Sequence, residues 1–173
     1  MRFYPSLGFL VFGSRLRRLS EYFIAEVNKV YEQTGIPFDA SWFPVFYLLS
    51  KCQPLSLTEI AEALEVSHSA VSQLVTSLRK KGWVSTKPSK ADARRQEVMF
   101  TKKGQGLLVQ LEPVWQAVTQ AMETLAAEHA DSQRILAAIA ALEASLDDKP
   151  LAARIADQLA TASPTTSTNK IIA

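Results

Sequence analysis

Residues 79–103 hold the side chains best suited to a charged partner. Nine are basic: Arg79, Lys80, Lys81, Lys87, Lys90, Arg94, Arg95, Lys102 and Lys103. Only Asp92 and Glu97 oppose them, so the segment carries a local charge of +7. Residues 1–78 sum to −1 and residues 104–173 to −4, and the whole chain is only +2. A basic field concentrated in one segment of an otherwise slightly acidic chain suits a polyanion such as a phosphate backbone. The plainer reading of such a run is a solvated charged face.

The residues just before it, "SLTEIAEALEVSHSAVSQLVTSLRKKGWV" (56–84), supply a second feature. Ser56 and Glu59 have the spacing of a capping box, which opens a short helix with Ile60, Ala61 and Leu64 inward. Glu65 and Val66 form a tight turn, and Ser67 caps another helix. Val71, Leu74, Val75 and Leu78 give that helix its buried face. Ser69, Gln73, Thr76 and Lys80 fall on the opposite side, with Ser72 at the edge. Gly82 ends the helix, and Trp83 follows where a contact back onto it is common.

After Gly82 the period changes to two. Val84 and Thr86 alternate with Ser85 and Lys87 as far as Pro88, and Gln96, Val98 and Phe100 alternate with Glu97 and Met99. Residues 89–94 form a polar connector. The expectation is a helix-turn-helix followed by a two-stranded hairpin with a basic tip. A helix fits the major groove of duplex DNA, where Gln73 can pair bidentately with adenine and Ser69 and Ser72 can contact bases or phosphates. Ser67, His68, Thr76 and Lys80 complete the candidate surface of the helix. A basic hairpin beside it reaches the backbone or the minor groove, where the negative potential is strong.

The flanking segments must position this unit. Residues 6–34 read as one long helix with an apolar stripe that needs a partner surface, ended by Gly35 and Pro37. Asp39 or Ser41 caps a second helix rich in Trp42, Val45, Phe46, Leu48 and Leu49, with Pro44 in its first turn. Thr101 caps a helix from Lys102 to about Leu125 that contains Pro113, expected as a kink or weak point. An Ala-rich helix from Ser132 to about Leu146 and a short one to about Ala160 complete the pattern. The tail "TASPTTSTNKIIA" lacks a core pattern and is expected to be disordered.

Composition narrows the classes. Apolar residues make up 47% and charged residues 21%, ordinary for a globular chain. The single cysteine, Cys52, excludes an internal disulfide and a cysteine metal cluster, and reads as a small core residue. His68 and His129 lack a catalytic setting, and no phosphate loop or nucleophile elbow is present in the sequence. No catalytic residue, metal site or cofactor is expected. The apolar run 7–12 is too short to span a bilayer, so no membrane association and a cytoplasmic location are expected.

The segment "DARRQEVMFTKKG" (Asp92 to Gly104) resembles the wing signature of the MarR regulators. Asp92, Arg94, Val98, Phe100, Thr101 and Gly104 match, with Phe100 where leucine is commoner. "SLTEIAEAL" and "VSHSAVSQLVTSLRKKGWV" also fit, so the resemblance covers about residues 7–147. It implies a mainly α winged helix-turn-helix fold and a homodimer. In that division residues 1–36 form an N-terminal dimerisation helix, 37–103 the DNA-binding lobe, 104–160 C-terminal dimerisation helices, and 161–173 a disordered tail.

The resemblance further implies a repressor bound to a roughly palindromic double-stranded DNA operator. Arg94 would enter the minor groove, Asp92 would orient that arginine or a neighbouring cation, and Lys90 and Arg95 would complete the wing. Many such proteins release DNA when a small, often aromatic, acid binds. Trp42, Phe46 and Tyr47 read first as core, and no effector residue is assigned. A peroxide-sensing branch carries a cysteine near the start of its first helix, which this chain lacks. A related branch is sometimes fused to an acetyltransferase domain, for which 173 residues are expected to leave no room. The alternative is a winged-helix module that binds protein rather than DNA.

Overall fold

A computed structural model describes residues 6–89 and 95–162 of the chain. Its elements are α1 (Phe12–Thr34), α2 (Phe43–Lys51), β1 (Leu55–Ser56), α3 (Leu57–Leu64), α4 (His68–Lys80), β2 (Val84–Pro88), β3 (Gln96–Phe100), α5 (Lys102–Ala127), α6 (Ile135–Asp148) and α7 (Leu151–Ala162). Helices dominate, and the three strands form one antiparallel sheet in the order β1-β3-β2. The chain divides into two units, Met1–Val118 and Thr119–Ala173.

In the first unit, three helices end by the same device. After α1, the Ile36 amide donates to the Tyr31 carbonyl and the Gly35 amide to that of Glu32. After α4, Trp83 donates to Leu78 and Gly82 to Arg79. After α3, Val66 donates to Ala61 and Glu65 to Glu62. Each pair satisfies carbonyls that the helix leaves without partners, and each needs one left-handed residue. Gly35 and Gly82 provide it with φ of 69° and 76°. In the helix-turn-helix corner the residue is Glu65, with φ 53°, the sole non-glycine of positive φ among the described residues.

The core of this unit gathers α2, α3, α4, the sheet and the start of α5. Val45, Phe46, Leu49, Ile60, Val71, Leu78, Val98 and Leu111 are fully buried. Phe38 packs edge-on against Tyr31, Trp42 and Phe46, with ring centroids 5.1–5.7 Å apart. Phe46 meets Phe100 of β3 at 4.6 Å. The indole N–H of Trp115 in α5 donates to the Tyr31 hydroxyl at 3.0 Å, linking α5 to α1. Burial raises the Tyr31 hydroxyl pKa above its ordinary value, and the Trp115 hydrogen bond opposes that shift.

The start of α5 is locked to the end of α4. The Thr101 hydroxyl donates to the Gly82 carbonyl at 2.7 Å and accepts from the Gly104 amide at 3.1 Å. The Thr101 amide donates to the Trp83 carbonyl at 3.0 Å. Gly104 lies against that carbonyl: a β-carbon there would sit 2.9 Å from the Trp83 carbonyl carbon and still nearer its oxygen. Helix α5 then runs unbroken through Pro113.

In the second unit, α6 and α7 follow each other across Lys149 and Pro150. The Arg154 guanidinium donates to the carbonyls of Lys149 and Ser145, covering the C-terminal end of α6. Lys149 pairs with Asp157. Leu136, Leu142 and Leu146 of α6 and Leu151, Ile155 and Leu159 of α7 remain exposed. Among the described residues, no helix is long and apolar enough to cross a membrane.

Several expectations are corrected. The segment read as one helix from residue 6 begins with a 3-10 turn, Gly8–Val11, because Gly8 is left-handed at φ 54°. The expected two-stranded hairpin is present as β2 and β3, and Leu55 and Ser56 add a third strand by pairing with Val98 and Glu97. Cys52 is exposed at the end of α2 rather than in the core. Of the residues read as core, Phe46 is fully buried, Trp42 is half-buried and Tyr47 is 42% exposed. Helix α7 reaches Ala162, so Thr161 and Ala162 are helical rather than disordered. Residues 163–173 lie outside the described residues.

Candidate nucleic-acid interface

The surface is built from α4 outward. Ser67 is extended and its hydroxyl accepts from the Ala70 amide at 3.2 Å, which starts the helix. Val71, Val75 and Leu78 turn into the core, while Leu74 is only half-buried. That register leaves His68, Ser69, Gln73 and Lys80 exposed, with Ser72 and Thr76 half-buried at the margins. The outward face is short, polar and uncharged at its N-terminal end and basic at its C-terminal end. The unpaired amides of a helix N-terminus add a positive field beside Ser67 and His68.

The position of α4 is set on both sides. The α3 capping box is complete: the Ser56 hydroxyl accepts from the Glu59 amide at 3.2 Å, and a Glu59 carboxylate oxygen accepts from the Ser56 amide at 2.7 Å. At the far end, Arg79 donates to the Thr86 hydroxyl of β2 at 3.4 Å. The Lys103 ammonium donates to the Lys81 carbonyl at 2.9 Å, and Lys81 lies 5.8 Å from the Trp42 ring centroid. Lysine at a helix C-terminus also complements its dipole.

The hairpin follows with a fixed register. Val84 pairs with Phe100, Thr86 with Val98, Lys87 with Glu97, and Pro88 with Gln96. The Ser89 amide donates to the Arg95 carbonyl at 2.8 Å. The expected tip residues Lys90, Asp92 and Arg94 lie outside the described residues. Arg95 is described, and its side chain meets the α3 capping box. Its Nη2 donates to Ser56 Oγ at 3.1 Å and lies 3.4 Å from Glu59 Oε1. Hydrogen bonds from the Ser56 hydroxyl and amide, with the Arg95 charge behind them, hold the Glu59 carboxyl below the usual carboxylate range.

The structure thus brings Ser67, His68, Ser69, Ser72, Gln73, Thr76 and Lys80 onto one helix, with the root of the hairpin in the same unit. Sequence reasoning missed three supports. Arg79 ties α4 to β2. Gln53 uses its side-chain carbonyl to accept from the Phe100 amide at 2.9 Å, extending the pairing of β3 beyond the two residues of β1. Arg95 crosses 39 positions to Ser56. The S-x-x-E spacing signalled the capping box, but nothing local signalled its second arginine partner.

Comparison with known proteins agrees with this geometry. Residues 35–95 match the sequence model of the MarR family, whose members are transcriptional regulators and not enzymes. The chain is 28% identical over 93 residues to YpoP of Bacillus subtilis (strain 168), an uncharacterized HTH-type transcriptional regulator. That match covers 54% of this chain and 64% of YpoP, just under two thirds of its length. The fold is similar to that of S. aureus MepR in a DNA complex, with a TM-score of 0.67 and 20% identity over 78% of this chain and 97% of that one. It is also similar to Bordetella bronchiseptica BpsR, with a TM-score of 0.61 and 21% identity over 79% and 92% of the two chains. The BpsR structure is described as a mechanism for regulation of DNA binding by 6-hydroxynicotinic acid.

Proposed function

We propose, from the match of residues 35–95 to the MarR family, that this chain is a sequence-specific regulator of transcription that binds double-stranded DNA. It acts as a homodimeric, cytoplasmic repressor that leaves a palindromic operator when a small molecule binds. The observation that carries the reading is the capped α4 with its polar outward face, joined through Gly82 to a hairpin whose flanks are basic.

In this reading α4 lies in the major groove. Gln73 pairs with a base edge, and Ser69, Ser72 and Thr76 contact bases or sugar-phosphate nearby. Ser67 and His68 meet a phosphate at the helix N-terminus, and Lys80 meets the backbone at the other end. Arg94 enters the minor groove, Asp92 orients it, and Lys90 adds a phosphate contact.

Exposed apolar side chains support the dimer. Phe9 and Leu10 are 89% and 85% exposed, and α1 leaves Leu16, Leu19 and Tyr22 outward. Apolar surface of this extent is covered when a second subunit packs on it. Residues 1–36 and 104–160 then serve as dimerisation segments, and residues 37–103 as the DNA-binding lobe. The effector is a small aromatic acid. Tyr47 stands beside Phe43 and Trp115, with centroids 5.3 and 5.7 Å away, and the Lys51 ammonium lies 5.1 Å from its ring. The rings offer stacking to a flat ligand and the Lys51 ammonium a partner for its carboxylate.

Selection from a random duplex pool tests the function. The expected product is a palindrome whose half-site centres are about one helical turn, ~34 Å, apart. Failure to enrich any sequence would leave a protein-binding winged helix as the better account.

A further inference from the structure

Arg95 sits at the root of the hairpin, where its carbonyl closes the last backbone rung described before the tip. Its guanidinium turns back onto α3, donating to Ser56 and lying beside Glu59. Ser56 is only 5% exposed and serves three elements at once. It caps α3, it belongs to β1 opposite Glu97 of β3, and it accepts from Arg95. One guanidinium therefore joins the strand that leads from the wing tip to the first helix of the helix-turn-helix.

The Arg95 and Glu59 side chains are 52% and 48% exposed, so their ion pair contributes little to stability. Its consequence is geometric, because one guanidinium nitrogen, hydrogen-bonded to Ser56 and beside Glu59, ties the root of the hairpin to the start of α3. The geometry points to Arg95 as a positioning residue that sets the wing against the helix-turn-helix, rather than as a phosphate ligand. This rests on the DNA-binding function proposed above.

Glu59 separates the two roles. If Arg95 contacts phosphate, Glu59 competes with DNA for it, and Glu59→Gln strengthens binding. If Arg95 positions the wing, Glu59→Gln weakens binding even though it removes a negative charge from a DNA-binding lobe. Glutamine at this spacing keeps the capping box, so α3 stays capped.

The test compares wild type, Glu59→Gln, Arg95→Met and the double variant on the duplex that wild type selects, at several salt concentrations. Each single variant is expected to weaken binding about two- to fivefold, the range of an exposed ion pair. The double variant is expected to lose no more than the larger single loss, since both changes remove one link. The slope of log affinity against log salt stays that of wild type. Tighter binding by Glu59→Gln, or a slope shallower by about 0.9 in Arg95→Met, would make Arg95 a phosphate ligand and overturn the proposal. Wild-type affinity in both single variants would also overturn it while leaving the DNA-binding function intact. Should Arg95→Met fail to fold, the sign of the Glu59→Gln effect decides alone. A wild-type protein that selects no duplex overturns both.

Discussion

The carbonyl oxygen of Trp83 occupies space that a β-carbon on residue 104 would need. Glycine at 104 is therefore a steric requirement of the joint between α4 and α5. Gly104→Ala should lower stability by roughly 1–3 kcal/mol, the usual cost of overpacking, despite alanine's better helix propensity. Urea unfolding measures this. An unchanged or raised midpoint would mean that α5 shifts away at little cost.

Glu65 adopts at φ 53° a conformation that glycine adopts without a β-carbon clash. Glu65→Gly is expected to stabilise the protein by about 1 kcal/mol, with glycine's greater unfolded-chain freedom offsetting part of the gain. Thermal melts of Glu65→Gly and Glu65→Ala together give the answer. Only the glycine variant should gain. Equal behaviour would remove strain from the description of this turn.

The lowered Glu59 pKa has a defined pH consequence. A carboxyl whose folded pKa is depressed contributes stability above its unfolded value, about 4.3, and loses it as pH falls through the folded value. Wild type should melt above Glu59→Gln near pH 6, and the gap should narrow below about pH 4. A gap that stays constant down to pH 2 would contradict the assigned hydrogen bonds.

Two substitutions probe the proposed DNA contacts. Arg94→Ala should weaken operator binding without lowering the melting temperature, and unchanged affinity would remove the wing from the mechanism. Gln73→Ala should relax preference at one base position by roughly 1–3 kcal/mol if the contact is bidentate. Reselection from a random duplex pool measures that preference, and an unaltered consensus would exclude the contact.

Local rules account for what was legible in the sequence. The Ser56/Glu59 box, the Ser67 and Thr101 caps, the Gly35 and Gly82 stops and the alternation of Val98 with Phe100 each act within a few residues, and each is present. What escaped depended on distant partners. A two-residue strand such as β1 has no periodicity to detect, and its pairing with β3 spans more than forty positions. Exposure of Cys52 and Tyr47 depends on which side of α2 meets the core, and an apolar run leaves that ambiguous. The outward placement of His68, Ser69, Gln73 and Lys80 on α4 was legible because a helix with one buried face must show the other. Arg95 resembled any other basic residue of its segment until the fold brought Ser56 beside it.

In the proposed function the capped α4 and its adjoining hairpin bind duplex DNA through both bases and phosphates, so binding must respond both to salt and to sequence. The decisive measurement is affinity for the selected duplex across a salt series. Log affinity should fall linearly with log salt, by about 0.9 per phosphate contact, while affinity for a scrambled duplex stays orders of magnitude weaker. Affinity that is flat from about 50 to 200 mM salt, or equal for both duplexes, would rule out this mode of DNA binding.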